Sequence, residues 1–205
     1  MTVDVGSTAQ QPSRRRRGVR PSQPTPRSRL VVLAPSVGDV VTAAGGWLAD
    51  RALAGWDIEV LVPASGVDHA DVRALQIVGA TVGDLDEVFD TGTAAAVAVS
   101  ADLFAADSHV RARVLHAYDR DIAEVTVWGA DIPAELTARF VSVEHVLSSA
   151  AQVFKLHSLA AIADRSGVSS AEGFRTGARR GIGKDLRPVG EAYIATHALR
   201  GHTGG

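Results

Sequence analysis

The stretch Arg29–Ala64, RLVVLAPSVGDVVTAAGGWLADRALAGWDIEVLVPA, decides the fold. Arg29 to Ala34 is a short β-branched apolar run bounded by a turn, which predicts a strand buried on both faces. The chain turns at PSVGD, and the Ala-rich segment Val40 to Ala54 predicts a helix with Asp39 as N-cap and Gly55 in the C-cap position. Gly45 and Gly46 inside it cost about 1 kcal/mol each unless they allow close packing. Ile58 to Pro63 supplies a second strand. Strand, helix and strand with short connections form a right-handed crossover, and so an α/β fold with a parallel sheet.

Further along, Asp71–Gly79 reads as a helix and Asp86–Asp90 as a short strand, while residues 94–104 suit either a strand or a helix start. His109–Glu124 has helical spacing, Val125–Gly129 reads as a strand, and ARFVSV, residues 138–143, as another. A long helix is expected over Glu144–Arg165, with Val146, Leu147, Ala150, Val153, Phe154, His157 and Ala161 on its apolar stripe. Beyond about residue 166 the chain reads as helical and irregular.

Composition bounds the rest. The 205 residues suffice for one sizeable core, so residues 29–205 are expected to form a single domain. Residues 1–28 combine the basic run SRRRRGVR with Pro12, Pro21, Pro24 and Pro26, and are expected to be a disordered basic tail. A twin-arginine export signal is not expected, because Pro-rich PSQPTPR follows the arginines instead of an apolar core. The net charge of -2 does not favour nucleic acid as a partner, and no apolar run reaches the roughly 18 residues of a membrane span. The absence of cysteine excludes thiolate catalysis and Cys-based metal sites, and fits a reducing cytoplasm.

In an open parallel sheet ligands bind beyond the carboxyl ends of the strands, which makes PSVGD the first loop to consider. It matches neither dinucleotide nor P-loop glycine spacing. GARRGIGKD, Gly177–Asp185, follows no predicted strand and reads as a mobile surface loop. His69 and His109 stand where either could face the mouth of the sheet or simply be exposed. His116 and His145 read as helix-surface residues, and His157 as a core histidine.

The opening stretch resembles the start of the PIG-L/LmbE-like zinc-dependent N-deacetylases, where SPHPDDEVLGAGG falls on APSVGDVVTAAGG, Ala34–Gly46, without a gap. The late segments TVWGADIPAELTARFVSV, KLHSLAAI and SAEGFR, Ser170–Arg175, are similar to family segments in the same order. The resemblance implies a three-layer, Rossmann-like, mostly parallel sheet flanked by helices, a zinc cofactor and a sugar-like small-molecule partner. The family's zinc-binding histidine corresponds to Ser36 and its general-base aspartate to Gly38, while a second aspartate ligand is retained as Asp39. The third ligand, last in the family's HPDH motif, corresponds to His109 in ADSH.

Asp39 and His109 are thus vestigial metal candidates, and Ser36, Gly38, Asp39 and His69 the expected ligand-binding loop. A hydrolytic zinc site needs three protein ligands, a water and a base. Serine is a neutral, poor ligand, and glycine is no base. The expectation is a family scaffold with lost or weakened deacetylation that binds a small molecule or a partner. The alternatives are an active zinc N-deacetylase or amidase acting on an N-acetyl amino-sugar conjugate, with His69 or Asp68 supplying missing groups, and a nucleotide- or nucleic-acid-associated domain.

Overall fold

The computed structural model describes residues 27–65, 67–86, 93–177 and 182–189. Nearly all of the expected basic tail, most of the strand expected at residues 86–90, and His197 and His202 lie outside them.

The apolar run at the start becomes β1 (Arg29–Leu33), whose last four residues are buried, as expected of a strand covered on both faces. It pairs in parallel with β2 (Asp57–Val62) on one side and β4 (Ala96–Ser100) on the other. Beyond β2 lies β3 (Thr81–Asp84), and beyond β4 lies β5 (Glu124–Trp128), both parallel. The sheet continues antiparallel through β7 (Ala171–Gly177), β6 (Phe140–Val146) and β8 (Arg187–Pro188). The order is β3-β2-β1-β4-β5-β7-β6-β8.

Helices α1 (Val37–Leu53), α2 (His69–Ile77) and α6 (Ser149–Ala161) pack on one face and bury Val40, Trp47, Leu75 and Leu159. On the other, α3 (Ala101–Ala106), α4 (Ser108–Asp119) and α5 (Ala134–Thr137) bury Phe104, Val114 and Leu136. The three-layer α/β expectation holds. The expected boundaries shift where side chains cap: Ser36, not Asp39, caps α1, and Asp68 with Asp71 forms a capping box that starts α2 at His69.

Larger differences lie in the C-terminal third. The segment read as the start of a long helix is instead the end of β6, and α6 begins only at Ser149 behind its N-cap Ser148. His145, expected on a helix surface, is buried in β6 between the Asp50 carboxylate, 2.8 Å from Nε2, and the Asp185 carbonyl, 2.7 Å from Nδ1. The face α6 buries is Ala151, Lys155, Ser158 and Leu159, so Val153, Phe154 and His157 are exposed. The stripe was misassigned because a lysine belongs to the buried face. SAEGFR, read as irregular, is largely strand β7.

Lys155 and β7 explain each other. Inside α1 the backbone N–H groups of Gly46 and Trp47 donate to Glu172 of β7, at 2.9 and 2.7 Å. Lys155 Nζ donates to the same carboxylate at 2.6 Å and to the Thr42 carbonyl, one turn before Gly46, at 2.7 Å. A buried ion pair is therefore threaded into the helix at its glycine pair. Gly46 cannot be larger without movement, since a Cβ there would lie 2.1 Å from Leu147 Cδ2. Close packing is the compensation at Gly46, whereas a Cβ at Gly45 would make only ordinary contacts, 3.6 Å from Val41 and 3.7 Å from Lys155.

Candidate functional site

β1 sits between β2 and β4, so the chain leaves it in one direction while the next half of the sheet builds in the other. The crevice beyond the carboxyl ends of β1 and β4 is the place where such sheets bind ligands. The residues that reach it are fixed by the strand ends. α1 begins four residues after β1, with the Ser36 hydroxyl accepting the Asp39 N–H at 3.2 Å, which sets Asp39 in the first helical turn. β4 ends at Ser100 and β5 at Trp128, which are register partners.

These strand ends converge on one carboxylate. Trp128 Nε1–H donates to Asp39 Oδ2 at 3.0 Å, although the two residues are 89 positions apart. Asp39 is half-buried, and burial raises its pKa above the ordinary carboxylate range. Hydrogen bonding from Trp128 and Ser100 works against that rise, and the nearby charge of Asp102, at the start of α3, adds to it. Trp128 and Ser100 are themselves buried, so the carboxyl group is held against a rigid floor.

Of the expected loop, Ser36 and Asp39 are brought together and Gly38 lies between them. A Cβ at Gly38 would meet only the Ser36 Oγ at 3.8 Å and Ile162 Cδ1 at 4.0 Å, so a larger residue fits there. His109 is exposed in the first turn of α4, where Asp107 accepts its backbone N–H at 2.7 Å; no contact joins its side chain to Asp39. His69 is exposed at the start of α2 and lines a groove between α2 and α6 with Arg73 and His157. Asp68 is engaged as the α2 N-cap. Neither His69 nor Asp68 contacts Asp39.

The fit of zinc to this donor set can be judged from its chemistry. Among the described residues no group of three or more His, Asp or Glu side chains could hold a metal ion. The neighbours of Asp39 are two hydroxyls, an indole N–H and a second carboxylate. The hydroxyls are neutral and the indole N–H is a donor that offers a cation no lone pair, which leaves Asp39 and Asp102 as the anionic groups of the set. The residues present do not fit a hydrolytic zinc centre.

Trp128, Ser100 and Asp102 were not singled out from the sequence. The signal was available in the position of Ser100 and Trp128 as the last residues of apolar runs VAVS and VTVW, since last residues of parallel strands border the crevice.

No protein-family model matches the sequence, and no curated protein matches it. Solved structures do. The chain is similar to the zinc-inhibited form of the teicoplanin deacetylase Orf2, with a TM-score of 0.53 and 12% identity over 80% of this chain and 100% of that one. It is also similar to a deacetylase of the teicoplanin biosynthesis pathway in a complex with bog, with a TM-score of 0.50 and 13% identity over 73% and 98% of the two chains. At such identities the likeness is one of fold, and it agrees with the α/β architecture described above.

Proposed function

We propose that this chain uses a PIG-L/LmbE-type deacetylase scaffold as a small-molecule binding protein, with zinc-dependent hydrolysis lost or strongly weakened. The observation that carries the reading is the Asp39–Trp128 hydrogen bond at the β1/β4 crevice, with no group of three or more metal-binding side chains among the described residues. Trp128 donates to one carboxylate oxygen and Ser100 also hydrogen-bonds the group, which is half-buried and so within reach of a ligand hydroxyl or amide N–H. Ser36 and Ser100 can each donate or accept beside it. Such a set recognises a neutral polyhydroxylated or amide-bearing molecule, a sugar-like ligand, by hydrogen bonds. It lacks the third ligand and the base that water activation needs.

In the active-deacetylase alternative His69 or Asp68 supplies missing groups, whereas here Asp68 caps α2 and His69 lines the groove between α2 and α6. The titration that tests the proposal follows tryptophan emission as glucosamine and N-acetylglucosamine are added to the native chain and to Asp39→Ala. Saturable binding that weakens at least tenfold in the variant is expected. Release of acetate from N-acetylglucosamine by zinc-loaded native protein, abolished in Asp39→Ala, would overturn it.

A further inference from the structure

A second cavity, of about 560 Å³, opens on the α3/α4/α5 side beyond the carboxyl end of β5. Its position follows from strand lengths. β5 pairs with β7 through Thr126–Thr176 and Val127–Arg175, so residues 171–174 of β7 run on past the end of β5 alongside β6. The floor of the cavity is this two-stranded extension, and the loop after β5 forms one wall. Its volume lies within the roughly 300–1,000 Å³ range of small-ligand sites.

Besides Glu172, which Lys155 and α1 engage, two charged side chains share that floor. Arg175 faces Ser142 across the ladder and Glu144 faces Gly173, so Arg175 and Glu144 are diagonal neighbours on one face. Both are half-buried and both line the cavity, yet neither side chain has a hydrogen-bond or ion-pair partner among the described residues. Arg187, opposite Glu144 on β8, is exposed and forms no ion pair with it. The Arg175 guanidinium is not sealed from solvent, and a planar, bidentate acceptor entering the cavity can pair with it.

We propose that this cavity is a separate binding site for a zwitterion of about dipeptide size, its carboxylate on Arg175 and its ammonium on Glu144. The two residues stand about 7–8 Å apart on the diagonal and both line a cavity of about 560 Å³, and a dipeptide, longer than one amino acid by about 3.5 Å, presents a carboxylate and an ammonium at its two ends. Glu144 disfavours a phosphate dianion in the same space, because its like charge repels it. The site does not use Asp39, and shares with that crevice only Trp128 as a boundary.

Calorimetric titration with glycylglycine tests this, alongside N-acetylglycine, which lacks the ammonium, glycinamide, which lacks the carboxylate, and inorganic phosphate. Saturable binding of glycylglycine is expected, with each truncated probe weaker by about tenfold or more. Arg175→Ala should lose the binding while keeping the glucosamine response of the Asp39 crevice, and Glu144→Gln should make N-acetylglycine and glycylglycine bind equally. Phosphate binding tighter than glycylglycine, absence of glycylglycine binding, or unchanged affinity in Arg175→Ala overturns the assignment. If Arg175→Ala does not fold, a retained preference for glycylglycine over N-acetylglycine in Glu144→Gln overturns it equally.

Discussion

Replacing Glu172 by Gln should destabilise the fold by about 3–5 kcal/mol, the cost of breaking a buried ion pair by removing one partner. Glu172 and Lys155 are each only 4% exposed, so water cannot solvate the ammonium left behind. The glutamine keeps one acceptor oxygen for three donors, Gly46 N–H, Trp47 N–H and Lys155 Nζ. Its NH2 group then meets a donor where an acceptor stood. With a urea slope of about 2 kcal/mol/M, the midpoint should fall by roughly 2 M. Circular dichroism followed through urea unfolding reads this directly. The double variant Glu172→Gln with Lys155→Met should cost at least about 1.5 kcal/mol less than the sum of the two single changes, since the second removes the stranded charge. Single effects below about 1 kcal/mol that simply add would refute the argument that this pair holds α1 against β7.

Other expectations follow from the same contacts. Burial raises the Asp39 pKa, so the stability it contributes is present below the unfolded-state pKa and is lost as pH rises through the native one. Asp39→Asn keeps an acceptor for Trp128 and should therefore match or exceed native stability at pH 7, with the difference closing below about pH 3 in thermal melts. Asp50 behaves oppositely: burial would raise its pKa, but hydrogen bonds from Ser148 and His145 outweigh that and lower it. Its contribution is present above the unfolded-state pKa and lost as pH falls through the native one, so Asp50→Asn should lower stability at pH 6 and flatten the acid limb. Arg51 is buried, stacks on Trp47 and Trp56 and holds Asp185 by two hydrogen bonds, with Nη1 left without a partner among the described residues. Arg51→Lys should cost about 2 kcal/mol or more in urea unfolding, less than a fully buried pair because Asp185 is 32% exposed. Gly46→Ala should cost about 1–3 kcal/mol through the Leu147 clash, whereas Gly38→Ala should be nearly neutral.

Strands β1, β2 and β5 were legible because they are continuous apolar runs, and α1 because an Ala-rich segment ends at a positive-φ glycine, Gly55; the serine that caps α1 and the short polar strand β3 were not. Of the antiparallel half only the start of β6 was legible, in ARFVSV, because the burial of the rest depends on partners distant in sequence. AEGFRTG carries a glutamate and an arginine, which argue against a core strand until Lys155 and the glycine pair of α1 are seen to enclose Glu172. His145 likewise enters the interior only because Asp50 and the Asp185 carbonyl satisfy both ring nitrogens. The GG pair and SAEGFR, two separate points of resemblance in the sequence, are hydrogen-bond partners 126 residues apart. Asp39 was legible from its place after β1, but Trp128 is not, because nothing local announces that an indole will donate to it.

The central claim is that the crevice at Asp39 has kept the scaffold of a zinc site without its donor set. Ser36→His with Gly38→Asp restores one ligand and one carboxylate, and the space at Gly38 accepts the second change. The most direct measurement is the zinc content of the native chain and this double variant after loading with excess zinc and dialysis, read by elemental analysis. The native chain should retain far less than one equivalent, and the double variant should retain more. One equivalent in the native chain, lost in Asp39→Ala, would contradict the account.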